Sequence, residues 1–248
     1  MKNNVVIIGA GRFGSYLGRQ LRKHGISNDY ILADGSASRS TDYTLRTPDY
    51  ILGKAETVIF CVPIQNFKDA LRKYVPSLSQ ECVVYDTCSV KFHPCEWMKR
   101  AFEGRKNEVI GLHPLYGPQS APNTMAGQRM AVCGVHGEDL QKQAQLDWEP
   151  FNIALIHVTP KEHDKQMATQ VLNHFVGRAS AACGITRVPL STKTHENFMD
   201  IQDLVMGNSE ELFFDMNKYN PFAPEIRRKV IASAKKLDAK LKKLKLKK

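Results

Sequence analysis

Nowhere does this chain carry an apolar run long enough to cross a membrane, which excludes a transmembrane helix as its organising element. Cysteines are few and scattered. Cys61, Cys82, Cys88, Cys95, Cys133 and Cys183 form no CxxC pair and no His/Cys spacing suited to a metal, so neither a disulfide framework nor a zinc module is expected. Several sit inside apolar runs, where a reduced thiol behaves as a small hydrophobe. Internal repeats and low-complexity linkers are missing too. Met1-Lys-Asn-Asn leads straight into an apolar run and leaves no room for a secretory signal. These absences predict a reduced, cytoplasmic protein with no metal site and no membrane partner.

Positive charge, by contrast, is in excess, at +10. Its location decides what it means. Residues 225–248 hold eleven Lys/Arg against two acids, and the rest of the chain holds 24 basic and 23 acidic groups. The charge therefore belongs to a tail, and no nucleic-acid partner is expected. Within that tail Leu237, Leu241 and Leu244 recur at helical spacing among lysines. This predicts a terminal amphipathic helix lying on its own subunit or on a partner. The bulk of the chain, at 42% hydrophobic and 24% charged over 248 residues, is ordinary for one large or two modest globular domains.

The most informative stretch is Asn4-Val-Val-Ile-Ile-Gly-Ala-Gly-Arg-Phe-Gly14. An unbroken β-branched run suits a strand buried on both faces, and it enters Gly9-x-Gly11-x-x-Gly14 directly. Leu17 and Leu21 then show helical spacing. Gly9 permits a tight turn, Gly11 lets a pyrophosphate approach the backbone, and Gly14 allows close helix–strand packing. The helix N-terminus then points its free N–H groups at the anion. Asp34 follows the next apolar run twenty residues beyond Gly14, where an acid would bind an adenosine ribose. This context predicts a dinucleotide site formed by Gly9, Gly11, Arg12, Phe13, Gly14, Asp34 and Arg39, with Val62 and Pro63 closing a neighbouring strand. The cofactor is NAD or NADP. Asp34 favours NAD because its charge would repel a 2′-phosphate, whereas Arg39 between Ser38 and Ser40 could cradle one.

Further strands are expected at residues 57–62, 82–86, 109–112, 129–133 and 153–158. Helices lie between them at 64–75 and 138–148, with another running through 97–102. The alternation implies an α/β fold, a Rossmann-type doubly wound and mainly parallel sheet, with ligands at the C-terminal ends of its strands. Strand signals stop at Val158. Thr159-Pro160 marks a helix start, and helices are expected at 161–183, 194–218 and from 224 onward. The predicted division is a dinucleotide-binding domain over 1–158 and an all-helical second domain over 159–248.

Polar residues just past the strand ends are the candidates for chemistry. Ser89 and Lys91 follow the strand ending at Asp86, and His113 follows the one ending at Leu112. A histidine there can take a proton from a substrate hydroxyl while hydride leaves the attached carbon. Ser89 could hydrogen-bond the imidazole or the substrate, and Lys91 could hold an anionic group. The alternative for His113 is a structural hydrogen bond to a loop. On the long helix, His163, Gln170, His174 and Arg178 share one face and need either solvent or a ligand, while Met167, Val171 and Phe175 read as core.

Several motifs in order resemble the prephenate and arogenate dehydrogenases of tyrosine biosynthesis, particularly the plant and cyanobacterial arogenate type. These are Gly9-Ala-Gly-Arg-Phe-Gly14, Asp86-Thr-Cys-Ser-Val-Lys91 and His113-Pro-Leu-Tyr-Gly-Pro-Gln-Ser120. Glu162-His-Asp-Lys165, His174-Phe-Val-Gly-Arg178, Ser191-Thr-Lys-Thr194 and Asn220-Pro221 follow. The resemblance implies oxidative decarboxylation of a cyclohexadienol. Hydride passes to NAD(P)+, His113 accepts the hydroxyl proton, and loss of CO2 makes the ring aromatic. It further implies that Ser89 orients His113, and that Lys91, Gln119, His163, His174 and Lys193 bind substrate. A homodimer through the helical domain is expected. Other two-domain NAD(P) reductases lack the Ser-Val-Lys and His-Pro-x-x-Gly-Pro pairing, and a non-catalytic dinucleotide sensor would have no use for Ser89, Lys91 and His113 together. The chain departs from the family at Lys193, where many prephenate-specific members carry Arg, and at Ala121, where a loop glycine is usual. No attached regulatory domain is expected after the helices.

Overall fold

The computed structural model describes residues 4–31, 37–38 and 48–244, so Asp34 and Arg39 lie outside the described residues. The chain divides into two compact units, Met1–His163 and Asp164–Lys248.

The first unit is built on one eight-stranded sheet ordered β3-β2-β1-β4-β5-β6-β7-β8. Its strands are β1 (Val5–Ile8), β2 (Asn28–Ile31), β3 (Ala37–Ser38), β4 (Thr57–Phe60), β5 (Val83–Asp86), β6 (Glu108–Pro114), β7 (Arg129–His136) and β8 (Ala154–His157). Every residue of β1, β4 and β5 is buried, as expected of parallel strands covered on both faces. Five of the seven pairings are parallel, and β2–β3 and β6–β7 are antiparallel. The expected doubly wound, mainly parallel sheet is what forms. Its helices are α1 (Arg12–Lys23), α2 (Pro48–Lys54), α3 (Ile64–Tyr74), α4 (Phe92–Ala101) and α5 (Leu140–Trp148). The chain leaves β1 toward β2 on one side and later returns to β4 on the other, so the strand order reverses between β1 and β4. A crevice outside the C-terminal ends of the strands opens at such a switch point.

The second unit is all helical among the described residues. The long helix α6 (Pro160–Ala182) enters it and is followed by α7 (Lys193–Met206), α8 (Glu210–Tyr219) and α9 (Ala223–Leu241). Residues 194–218 were expected as one helix but form two. Gly207 ends α7, and Ser209 caps α8 by accepting a hydrogen bond from Leu212 N. Such a cap outweighs continuation of the helix through a glycine. The basic tail is helical as far as Leu241, but residues 231–244 are all exposed.

Candidate active site

The Gly9–Gly14 turn is shaped by close contacts that side chains would destroy. Gly9 has φ +106°, and a Cβ there would lie 2.5 Å from the Cys61 carbonyl oxygen. A Cβ on Gly14 would lie 2.0 Å from the Gly9 carbonyl oxygen and 3.1 Å from Cys61 Cβ, so only glycine lets α1 sit this close to β1 and β4. Gly11 is different. A Cβ there would meet nothing within 4 Å, which leaves open space in front of the start of α1. That helix has no side-chain cap and no acid in its first turn. Its first N–H groups face that space, as an anionic phosphate requires. Val62 and Pro63 follow β4, the neighbour of β1, on the other side of the switch point. The residues present fit a dinucleotide pyrophosphate.

The second part of the site lies where β5 and β6 end side by side, with Asp86 paired to Gly111. Asp86 is fully buried, and its carboxylate accepts two hydrogen bonds from Lys91 Nζ, at 2.6 and 2.8 Å, and one from Cys88 N at 2.9 Å. Lys91 Nζ also donates to the Leu112 carbonyl at 2.6 Å. This ammonium thereby ties the turn after β5 to the residue preceding His113. Burial lowers the Lys91 pKa, but the Asp86 charge and the thiols of Cys88 and Cys95 outweigh it and hold the group charged. Gly111 leaves room for the pair, since a Cβ would fall 2.8 Å from Cys95 Sγ and 3.2 Å from Asp86 Oδ1.

His113 is half-buried at the end of β6. Its Nδ1 lies 2.9 Å from Nε2 of His163, and the two rings meet edge to face at 70°. Burial first, then His163 and the Lys91 charge, push its pKa well below the ordinary imidazole value. His113 is thus neutral at neutral pH, the state a proton acceptor needs.

The family model for the nucleotide-binding domain of prephenate dehydrogenase matches residues 17–144, more than half of the chain. The chain belongs to the prephenate dehydrogenase family. A second model, for a TYRAAT1-like C-terminal domain, matches residues 179–248. Among the curated relatives, arogenate dehydrogenase 2 of Arabidopsis thaliana is 24% identical over 239 residues, covering 89% of this chain and 65% of that protein. Arogenate dehydrogenase 1 of the same plant is 24% identical over 233 residues, covering 88% of this chain and 36% of that protein. This chain thus spans between about a third and two thirds of those relatives' lengths. The fold is that of the prephenate dehydrogenase from Aquifex aeolicus solved with hydroxyphenyl propionate and NAD+. The TM-score to it is 0.72 at 19% identity, over 97% of this chain and 92% of that one.

The residues this resemblance singles out meet different fates. His113 and His163 come into contact, and His163, expected to bind substrate, is buried beside the imidazole. Lys91, expected to face a substrate anion, is buried in its ion pair with Asp86 and has no exposed surface. Ser89 does not hydrogen-bond His113. Its Oγ is buried and has no partner among the described residues, which leaves it available to a bound molecule. Gln119 is exposed in the loop after β6. In the second unit, Gln170 is exposed and His174 is half-buried with an unpartnered Nδ1. The His174 pKa is lowered by burial and by Arg178. Lys193 is exposed in the first turn of α7, 3.5 Å from Glu196. Ala121 carries no strain of its own, and its carbonyl accepts a 2.7 Å hydrogen bond from the Tyr16 hydroxyl. Sequence reasoning missed Asp86 as a member of the site. A buried acid closing an apolar strand five residues before a lysine was the available signal.

Proposed function

We propose that the chain catalyses the NAD(P)-dependent oxidative decarboxylation of prephenate or arogenate, giving 4-hydroxyphenylpyruvate or tyrosine. The observation that carries this reading is a neutral, half-buried His113 at the strand ends, in a family whose nucleotide-binding domain this chain shares. The dinucleotide, when bound, supplies the hydride acceptor. The α1 N-terminus and the Gly9–Gly14 turn hold its phosphates. His113 takes the proton from the ring hydroxyl at its free nitrogen, and the buried Ser89 hydroxyl is free to bond that same substrate oxygen. The Lys91–Asp86 pair acts from beneath, fixing the backbone from which His113 projects.

In the same reading the preferred cofactor is NAD, by the charge of Asp34. The protein works as a homodimer through its helical unit. It resides in the cytoplasm, in keeping with six free thiols. No described helix is long and apolar enough to cross a membrane. The test is an assay of purified protein with each cofactor against prephenate and arogenate, following the absorbance of reduced nicotinamide. Turnover of one substrate is the expected result, and silence with both cofactors and both substrates would reject the activity.

A further inference from the structure

Two imidazoles joined by one hydrogen bond, each carrying one proton, leave only two arrangements of those protons. Nδ1 of His113 and Nε2 of His163 stand 2.9 Å apart, and one of them must donate. If His163 donates, the proton on His113 sits on Nε2 and the ring has no free lone pair for a substrate. If His113 donates, its Nε2 is left open as an acceptor, and the proton on His163 sits on Nδ1. The choice between these tautomers is therefore a choice between an inert and a competent base.

We infer that His163 is the positioning residue that locks His113 in its Nδ1–H tautomer, accepting that hydrogen bond and so leaving Nε2 open to the substrate. This inference rests on the proposed role of His113 and deepens it. The anchoring of His163 suits the task. It is 3% exposed and lies in the first turn of α6, where its backbone N–H bonds the Thr159 carbonyl at 2.9 Å. The Thr159 hydroxyl also accepts from Glu162 N. A buried ring on a capped helix start holds its direction better than a serine hydroxyl in a turn would, and Ser89 makes no bond to His113.

The proton balance is simple. The substrate O–H bond breaks, and its proton joins His113 Nε2. The existing Nδ1–H···Nε2 bond then becomes charge-assisted and shorter. Burial, His163 and the Lys91 ammonium all disfavour a charged ring, and the hydrogen bond that His163 accepts from Nδ1–H partly offsets them as the charge forms.

The test begins without substrate. Long-range ¹H–¹⁵N spectra of the histidine-labelled full chain, taken where His113 is neutral, should show His113 protonated at Nδ1 only. His113 protonated at Nε2 would overturn the inference. In His163→Phe the single-tautomer pattern should disappear and kcat should fall on the order of 10²-fold, as when an orienting partner is removed. His163→Gln, whose amide oxygen can still accept from Nδ1–H, should restore the tautomer and much of the rate at neutral pH. Its acid limb should move to higher pH than the native one, because an amide does not oppose charge on His113 as His163 does. A His163→Phe enzyme with native kcat and native His113 spectra would also overturn the inference. If the native enzyme turns over neither prephenate nor arogenate, the functional reading fails by itself, and the ring spectra still decide the tautomer.

Discussion

His113 is neutral because charging it is opposed from three directions: burial, the facing His163 and the Lys91 ammonium. Two outcomes follow. The acid limb of kcat should fall below pH 6.5, the ordinary histidine value, so activity should hold into mildly acidic buffer; a limb at or above 6.5 would contradict this environment. Stability should change in the same window. Between the unfolded value near 6.5 and the lower folded value, the unfolded chain binds more protons, so this contribution is present above 6.5 and is lost as pH falls. His113→Asn removes the titrating nitrogen and should cost on the order of 10²–10⁴ in kcat, about 3–5 kcal/mol, with cofactor affinity unchanged by titration calorimetry. Lys91 gives the opposite pattern. Lys91→Met strands the Asp86 carboxylate, buried at 0% exposure, and should destabilise the fold by about 3–5 kcal/mol in denaturant melts. Replacing both partners with apolar residues should recover much of that loss. The sequence announced Lys91 as a residue of interest through its place after a strand end. Asp86, the acid that closes the apolar strand five residues earlier, was the signal that this ammonium is paired inside the fold.

The elements were easier to read than the side chains, because burial on two faces writes itself into composition. The runs at 5–8, 57–62 and 82–86 have no polar alternation to misread, and they contain the fully buried strands Val5–Ile8, Thr57–Phe60 and Val83–Asp86. The glycine roles were equally readable, since each depends on local backbone geometry. Gly14 now carries the clearest test. A methyl group there must displace a carbonyl oxygen 2.0 Å away, so α1 has to move off β1. Gly14→Ala should weaken dinucleotide binding at least tenfold, about 1.4 kcal/mol or more, and should lower stability by about 1–3 kcal/mol through overpacking. Gly11→Ala, facing open space, should leave stability nearly unchanged and weaken only the cofactor. Equal loss of stability in the two variants would refute this division of labour. The break at Gly207–Ser209 was harder to see. Helical periodicity runs across it, and Gly207 at the end of α7 and the Ser209 cap on Leu212 N separate the two helices. Ser209→Ala should accordingly cost about 1 kcal/mol.

The two units differ in how they treat apolar surface, and that difference bears on assembly. In the first, the large aliphatic and aromatic side chains of the central strands are inside. The helical unit leaves Leu190 97% exposed and displays Ile201, Leu204, Met206 and Phe214 on α7 and α8. Leu237 and Leu241 near the basic end of α9, and Leu244 just beyond it, are exposed as well. Scattered apolar residues need no explanation, but rows on several successive helices of one unit do. A second copy of the chain is the occupant our functional reading calls for. Sedimentation should then give a mass of twice 28.0 kDa at micromolar concentration. Replacing Leu204 and Phe214 together with serine should shift the protein toward monomer, while the folding of the first unit and its dinucleotide affinity stay intact. The tail is a separate question. Removing residues 240–248 deletes Leu241 and Leu244 and much of the positive charge, yet touches neither the Gly9–Gly14 turn nor the His113–His163 pair. Turnover per subunit should be unchanged. If truncation abolishes activity while the mass stays dimeric, the tail belongs to the working site and not to the surface that joins two copies.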